Sequence, residues 1–351
     1  MRNFHPQTLR LIALALVLLA TVLFFSSQID NYFSPRMLNR IATSVAVILP
    51  IAIGQAMVVM TRNIDLSIGS VVGIVAYIIG DFLGTHPDLH PVVVVVLAMA
   101  LGGFFGSING LLVSYGRVPS IIATLGTLAL FRTFLVEYSD ARTITTASLP
   151  KWLVDLPQQT LFSIGPIDFR TIVVMALVAA AVFWVALSRL RVARKIYAVG
   201  SNPDAAIMAG INTARVVFST FVLSGALAGL AGFIFLAKFG NITVVAGLGF
   251  ELKAVAAVVV GGVNIFGGSG SIVGVLLGTV LVDTIDNSLT RWAVVSEFWR
   301  DALLGMLIMT AVVADTYMSR SFGRMKSKAA MDAAKDAAKS LQPAKAPGAS
   351  S

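Results

Sequence analysis

The chain has 351 residues, of which 57% are hydrophobic and 12% charged, with a formal net charge of +9 and no cysteine. Soluble domains carry about 25% charged residues, so a mean hydropathy of +0.88 excludes an ordinary water-soluble fold. The missing cysteines exclude disulfides, thiolate metal sites and cysteine nucleophiles, and the basic residues sit in polar breaks and the tail, which fits membrane topology and no nucleic-acid partner.

A helix crossing the lipid bilayer needs about 20 apolar residues. Residues 1–10 form a short basic N-terminus, and Leu11–Phe25 resembles a secretory signal core. No small-x-small cleavage site follows it and further spans do, so a retained first helix is expected. Further runs cover Ile41–Met60, Ser67–Leu83, Pro91–Val113, Ser120–Val136, Thr171–Leu187, Val216–Ala237, Leu252–Ile265, Ser271–Leu289 and Asp301–Tyr317. The expectation is an all-α polytopic bundle of about ten spans over 11–318, followed by a basic tail, 319–351, that is disordered or weakly helical. Placing both termini in the cytoplasm puts Arg2, Arg10, Arg62, Arg117, Arg189, Arg191, Arg194, Lys195 and Arg215 inside, leaving chiefly Arg36, Arg40, Arg142, Lys151, Arg291 and Arg300 outside. Tyr138–Arg170 is then the main external loop, and its Pro150, Pro157 and Pro166 do not suit one long helix. Ser188–Arg215 is the main cytoplasmic loop.

The break from Arg62 to Ser70 separates two apolar runs. Asp65 and Ser67 are N-cap residue types, while Gly69 and Ser70 let another helix approach. In the break after Ser188, Gly200, Asn202 and Pro203 suit a turn, with Asn202 capping a short helix that starts at Pro203 and runs through Ala206 towards Gly210 and Ile211. Such a helix is a lever for a partner, or part of a solvated loop that only sets topology. An internal echo pairs Val58-Val59 with Val259-Val260, Asn63-Ile64 with Asn264-Ile265, and Gly69-Ser70-x-Val-Gly73 with Gly270-Ser271-x-Val-Gly274. Repeated halves with broken helices are common in transporters, and coincidence in Gly/Val-rich segments is the alternative.

Charges inside spans mark function or a paired structural site. Arg132 and Glu137 are badly spaced for one helix face. Asp283 and Asp286 share a face, for which pairing with Arg291 or Arg300 is favoured over an aqueous vestibule or a subunit interface. Asn109, Thr124, Thr127 and Asn287 are polar groups within apolar runs: each could bond helix to helix, and as a set they are candidates for a translocation path that receives hydroxyls. No phosphate-binding loop of the form G-x-x-x-x-G-K-[S/T] occurs. Gly267-Gly-Ser-Gly270 fits the G-x-S-G string of intramembrane serine proteases, but its serine lacks a base, because the only histidines are His5, His86 and His90. No catalytic residue, metal site or cofactor is expected.

Asp65-Leu-Ser-Ile-Gly-Ser70 resembles a string in the monosaccharide (ribose-type) permeases of ABC importers. Gly106-Ser-Ile-Asn-Gly110, Arg117 to Leu125 with Arg132 beyond it, Gly249-Phe-Glu251 and the run to Ala257, Gly261-Gly262 and Gly267-Gly268-x-Gly270 extend the likeness in order and spacing over Ile41 to Asp315. Ala123-Thr-Leu-Gly-Thr127 and Asp283-Thr-Ile-Asp286 look closer to the rhamnose and autoinducer-2 permeases. The resemblance implies a permease subunit in a bacterial inner membrane, paired with a second permease copy, as a homodimer or with a sister permease. It also implies ATP-binding cassette subunits that hydrolyse ATP and a periplasmic solute-binding protein. In similar permeases the stretch matching Arg194, Tyr197, Gly200, Asn202, Pro203, Ala206, Gly210 and Ile211 seats in the ATP-binding subunit. A branched-chain amino-acid permease is the nearest alternative, with a membrane enzyme or passive channel further off.

Overall fold

A computed structural model of the chain describes residues 6–165 and 167–292, together with 299, 302, 303, 305, 306, 309 and 310. Met1–Ile308 forms one compact unit and Met309–Ser351 a second. Of the second, only Met309 and Thr310 are described, both helical. The expected span Asp301–Tyr317 falls largely, and the tail 319–351 wholly, outside the described residues.

Eight described helices are long and apolar enough to cross a membrane: α1 (Pro6–Gln28), α2 (Pro35–Met60), α3 (Ile68–Thr85), α4 (Pro91–Ser114), α5 (Ser120–Ser139), α7 (Thr171–Arg189), α10 (Thr213–Phe239) and α12 (Ile272–Arg291). Between them lie the shorter α6 (Lys151–Asp155), α8 (Arg191–Ser201), α9 (Pro203–Met208) and α11 (Phe250–Val260). Local chemistry sets the starts: Ser34 Oγ accepts from Met37 N ahead of α2, and the His90 ring accepts from Val92 N ahead of α4, each followed by a proline in the first turn.

The α2, α3, α10 and α12 helices form the buried centre, while α1, α4, α5 and α7 form a rim. Rim side chains such as Leu16, Val96, Phe104, Ile122 and Val182 stay exposed, as lipid-facing residues do. No hydrophobic force drives helices together in lipid, so close backbone packing must do it. The α4–α10 contact is of this kind: Gly102 and Gly106 face Gly225 and Gly229, four residues apart on each helix, and a Cβ on Gly225 would come 2.8 Å from the Gly106 Cα.

Three segments depart from expectation. The run Leu252–Ile265 is not a span: α11 stops at Val260, and Gly262 takes φ +80° to turn the chain. At about 1.5 Å per residue this helix reaches about 16 Å, half of a bilayer core. Gly200 is not in a turn but in the last turn of α8, a helix formed where the sequence predicts loop. The long loop holds α6 and an antiparallel hairpin, β1 (Thr160–Ile164) and β2 (Ile167–Arg170). Asn39 of α2 anchors the hairpin by exchanging two bonds with Asp168: Asn39 Nδ2 donates to Asp168 Oδ2 and Asp168 N donates to Asn39 Oδ1, both at 2.9 Å.

Overpacking a tight helix contact costs about 1–3 kcal/mol. Gly225→Val should therefore lower the melting temperature of the solubilised protein clearly. Gly126→Ala, on an exposed stretch of α5 with nothing within 4 Å, should leave it unchanged or raise it slightly. Equal behaviour of the two would contradict glycine-mediated packing of α4 on α10.

Candidate functional site

Three helix ends meet where α2, α8 and α11 stop. The α2 helix ends in a Schellman motif: Arg62, at φ +66°, donates from its N to Val59 O, and Asn63 N donates to Val58 O. The end of α11 repeats it, with Gly262 N bonded to Val259 O and Val263 N to Val258 O. The internal echo thus has a counterpart in matching helix ends, one residue out of step with the sequence spacing. A non-glycine in the left-handed region costs roughly 1–2 kcal/mol. Arg62 accepts that strain in a position where its guanidinium meets the end of α8: Nε donates to Gly200 O at 2.5 Å and Nη2 to Ser201 O at 2.6 Å. These carbonyls lack helical partners, and the helix dipole favours a cation there.

The glycine turn after α11 closes the other side. Gly268 N donates to Met60 O at 3.0 Å, and Tyr197 Oη of α8 donates to Gly270 O at 3.3 Å. Burial raises the Tyr197 phenol above its ordinary range, which keeps it a donor. A Cβ on Gly200 would collide with Met60 O and come 2.5 Å from Gly268 N, so the backbones of α2, α8 and the turn touch directly. Gly267 and Gly268 sit at φ +84° and +78°. Beyond α8, the Asn202 Oδ1 accepts from Ala205 N at 3.0 Å and caps α9, as the sequence anticipated. Gly210, at φ +76°, closes α9, and Ile211 N returns to Ala206 O. Ile207 and Met208 stay exposed at the tip and Ala206 is buried, while Arg194 is exposed.

The break between α2 and α3 is filled by its own polar residues together with others from α2, α4 and α5. Asp65 Oδ1 accepts from Ser67 N at 3.0 Å and Ser67 Oγ at 2.8 Å. Asn109 Nδ2 donates to Ser67 Oγ at 2.7 Å, and Thr127 Oγ1 donates to Asn109 Oδ1 at 2.7 Å. Thr124 Oγ1 donates to Ser120 O at 2.8 Å and Ile64 O at 3.3 Å. Gln55, its amide turned so that each end meets a complementary group, donates to Asp65 O at 3.1 Å and accepts from Asp65 N at 3.3 Å. Three of the four path candidates are therefore together in one buried network. Asn287 stands apart on α12, donating to Asp283 O of its own helix.

The segment between α10 and α11 is re-entrant. It leaves the far end of α10, yet Ala246 and Gly247 lie against Gly73 and Gly69 in the first turns of α3. Irregular backbone at membrane depth must find internal partners. Arg132 supplies them, with Nη1 donating to Val244 O at 2.9 Å and Ala246 O at 2.7 Å, and its charge also faces Glu251. Glu251 Oε1 accepts from Gly249 N, a Cβ on Gly69 would collide with the Glu251 carboxylate, and Ser70 Oγ donates to Leu128 O. Sequence spacing ruled out Arg132 and Glu137 as one-face partners but could not name Arg132's true ones, two carbonyls over 110 residues away. Arg291 does not pair with Asp283 or Asp286 either: it donates to Asp30 O at 3.3 Å, and Arg300, the other expected partner, lies outside the described residues. Among the described residues, the half-length α11 places Lys253 beside Asp286, at 2.6 Å.

Residues 37–312 match the family described as branched-chain amino acid transport system / permease component. Among similar proteins, the autoinducer 2 import system permease protein LsrC of Escherichia coli O9:H4 (strain HS) is 35% identical over 302 residues, covering 85% of each chain. The protein of that name from Yersinia pseudotuberculosis serotype O:3 (strain YPIII) is 35% identical over 302 residues, 86% of this chain and 83% of its own. That of Salmonella paratyphi B is 34% identical over 304 residues, 86% and 85% of the two chains. No solved structure matches the chain.

Removing the guanidinium in Arg62→Met should cost about 1–2 kcal/mol, the low end for bonds to a charged group because Arg62 is exposed. Hydrogen exchange at the α8–α9 amides should quicken correspondingly, and unchanged protection would mean that α8 is held some other way. Gly200→Ala should be far more damaging to folding yield than Gly210→Ala, whose surroundings are open and whose penalty is confined to its positive φ.

Proposed function

The chain belongs to the branched-chain amino acid transport system / permease component family, and from that premise we propose that it is the membrane subunit of an ATP-driven importer for a small sugar-like solute. As a permease subunit it is a transport component and not an enzyme, and its apolar helices make it a multi-pass membrane protein. The observation that carries the solute class is the identity of about a third, over most of both chains, to permeases named for autoinducer 2 import.

In this reading the protein sits in the inner membrane with both termini in the cytoplasm, so that α8 and α9 face the ATP-binding subunits. Two permease copies flank the path, and a periplasmic solute-binding protein delivers the solute to the far side. The exposed Ile207 and Met208 at the α9 tip form an apolar plug for a cleft in the ATP-binding subunit, and Asn202, Pro203, Ala206, Gly210 and Ile211 shape it. When the ATP-binding subunits close, α9 moves and α8 moves with it. Arg62 passes that displacement to α2 and α3, while Tyr197 and the Gly267–Gly270 turn pass it to α11 and α12. The path runs along the re-entrant Gly240–Gly249 segment. Asn109, Thr124 and Thr127 belong to its wall: they position the break around Asp65 instead of offering free groups to solute.

Reconstitution with the partner ATPase and binding protein in liposomes tests this. Uptake of a labelled pentose, deoxyhexose or autoinducer-2-type furanose should require ATP and all three components. Uptake that proceeds equally without ATP would contradict an importer, and uptake of leucine but of no sugar would favour the amino-acid reading that the family description carries.

A further inference from the structure

Five charged side chains gather between α2, α10, α11 and α12, at the end of the re-entrant segment away from the helix-end junction. Lys253 and Asp286 form the buried pair at 2.6 Å, with side chains 15% and 10% exposed. Asp283 is completely buried; its Oδ1 accepts from Ser44 Oγ at 3.0 Å, and its Oδ2 has no hydrogen-bond partner among the described residues. Lys238, in the last turn of α10, is near enough to Asp283, Lys253, Arg40 and Asp286 to feel their charges, but it is beyond ion-pair distance of both carboxylates. Its ammonium lies 5.1 Å from the Phe239 ring centroid. No hydrogen bond of Lys238 occurs among the described residues.

A carboxylate oxygen stripped of water and left without a donor is expensive, on the order of 1–3 kcal/mol or more. Helix packing alone gives no reason to hold one there near an ammonium that has no acceptor among the described residues. The charges restrict what could satisfy both. Three cations against two carboxylates disfavour a metal ion, and the orphan atom, itself anionic, disfavours a phosphate or carboxylate ligand. A neutral hydroxyl donates to one group and accepts from the other. The location adds a second constraint, because Lys238 immediately precedes the re-entrant segment and Lys253 lies just beyond it.

We propose that Asp283 Oδ2 and Lys238 Nζ form a subsite that takes a hydroxyl, or a vicinal pair of hydroxyls, of the transported solute at the outer end of the path. Lys253 and Asp286 are positioning residues: their ion pair fixes α11 to α12 and keeps the Asp283 carboxylate aimed inward. The subsite rests on the importer reading and deepens it, by assigning part of the solute selection to the permease itself.

The test is ATP-dependent uptake by the reconstituted complex carrying wild-type chain, Asp283→Asn or Lys238→Met. The probes are D-ribose, L-rhamnose and a dihydroxylated furanose of the autoinducer 2 class, each alongside its monodeoxy analogues. For the solute that the wild type imports, each variant should lose about tenfold or more in rate, the worth of a hydrogen bond to a charged group. For the analogue lacking the engaged hydroxyl, the wild type should already be slow and the variants no slower. An equal fractional loss for solute and analogue, or unchanged uptake of both, would overturn the subsite and leave the importer intact. Failure of the wild type to import any probe with ATP would overturn the importer reading and the subsite with it. Melting temperature and assembly with the ATPase are measured for both variants, so that if one fails to fold the other decides.

Discussion

The guanidinium of Arg62, seated on the last carbonyls of α8, is the contact on which the rest of the arrangement depends. Every helix end leaves carbonyls without partners, and at the edge of a bilayer those groups need donors that will not drift. Arg62 provides two from a backbone position that is itself the closing residue of α2. One residue thus ends one helix and caps another. The α8 helix does not hang from the bundle as a loop; it is bonded to the α2 break and, through Gly268 and Tyr197, to the turn after α11.

The same requirement, that no backbone group at membrane depth go unsatisfied, explains why the irregular segments lie against one another. The α2–α3 break, the Gly240–Gly249 segment and the turn after α11 are each short of hydrogen-bond partners, and each finds them in polar side chains or in the other breaks. Asp65, Ser67 and Asn109 serve the first, Arg132 the second and Met60 O the third. Glycine recurs at these places because backbones touch there, at Gly267 and Gly268 with a positive φ as well, whereas at Gly262 the positive φ alone requires it. The regular helices carry the burial; the breaks carry the specific connections.

The bundle was legible in the sequence wherever a span is one uninterrupted apolar run, and the Asn202-Pro203 start of α9 was legible from its capping residue. The half-length α11 was not, because hydropathy counts apolar residues and is blind to a left-handed glycine in the middle of a run. The hairpin was overlooked although Thr160–Ile164 and Ile167–Arg170 are rich in strand-forming residues on either side of Gly165. The motif residues were found as a string, yet their partners come from other helices: Gly69 meets Glu251, and Gly200 meets Met60. No spacing rule along one helix reaches such pairs. The same holds for Lys253 and Asp286, whose pairing depends on where α11 begins.

If the junction transmits the stroke of the ATP-binding subunits, α8 and the turn after α11 must move as one body. With no native cysteine in the chain, spin labels on Lys195→Cys and Phe266→Cys, both exposed positions, report that distance directly. Measured in the assembled complex, with labelled chains diluted by unlabelled ones, the distance distribution should be the same with and without bound ATP. A shift or broadening on ATP binding would mean that the junction opens during the cycle and does not transmit the stroke.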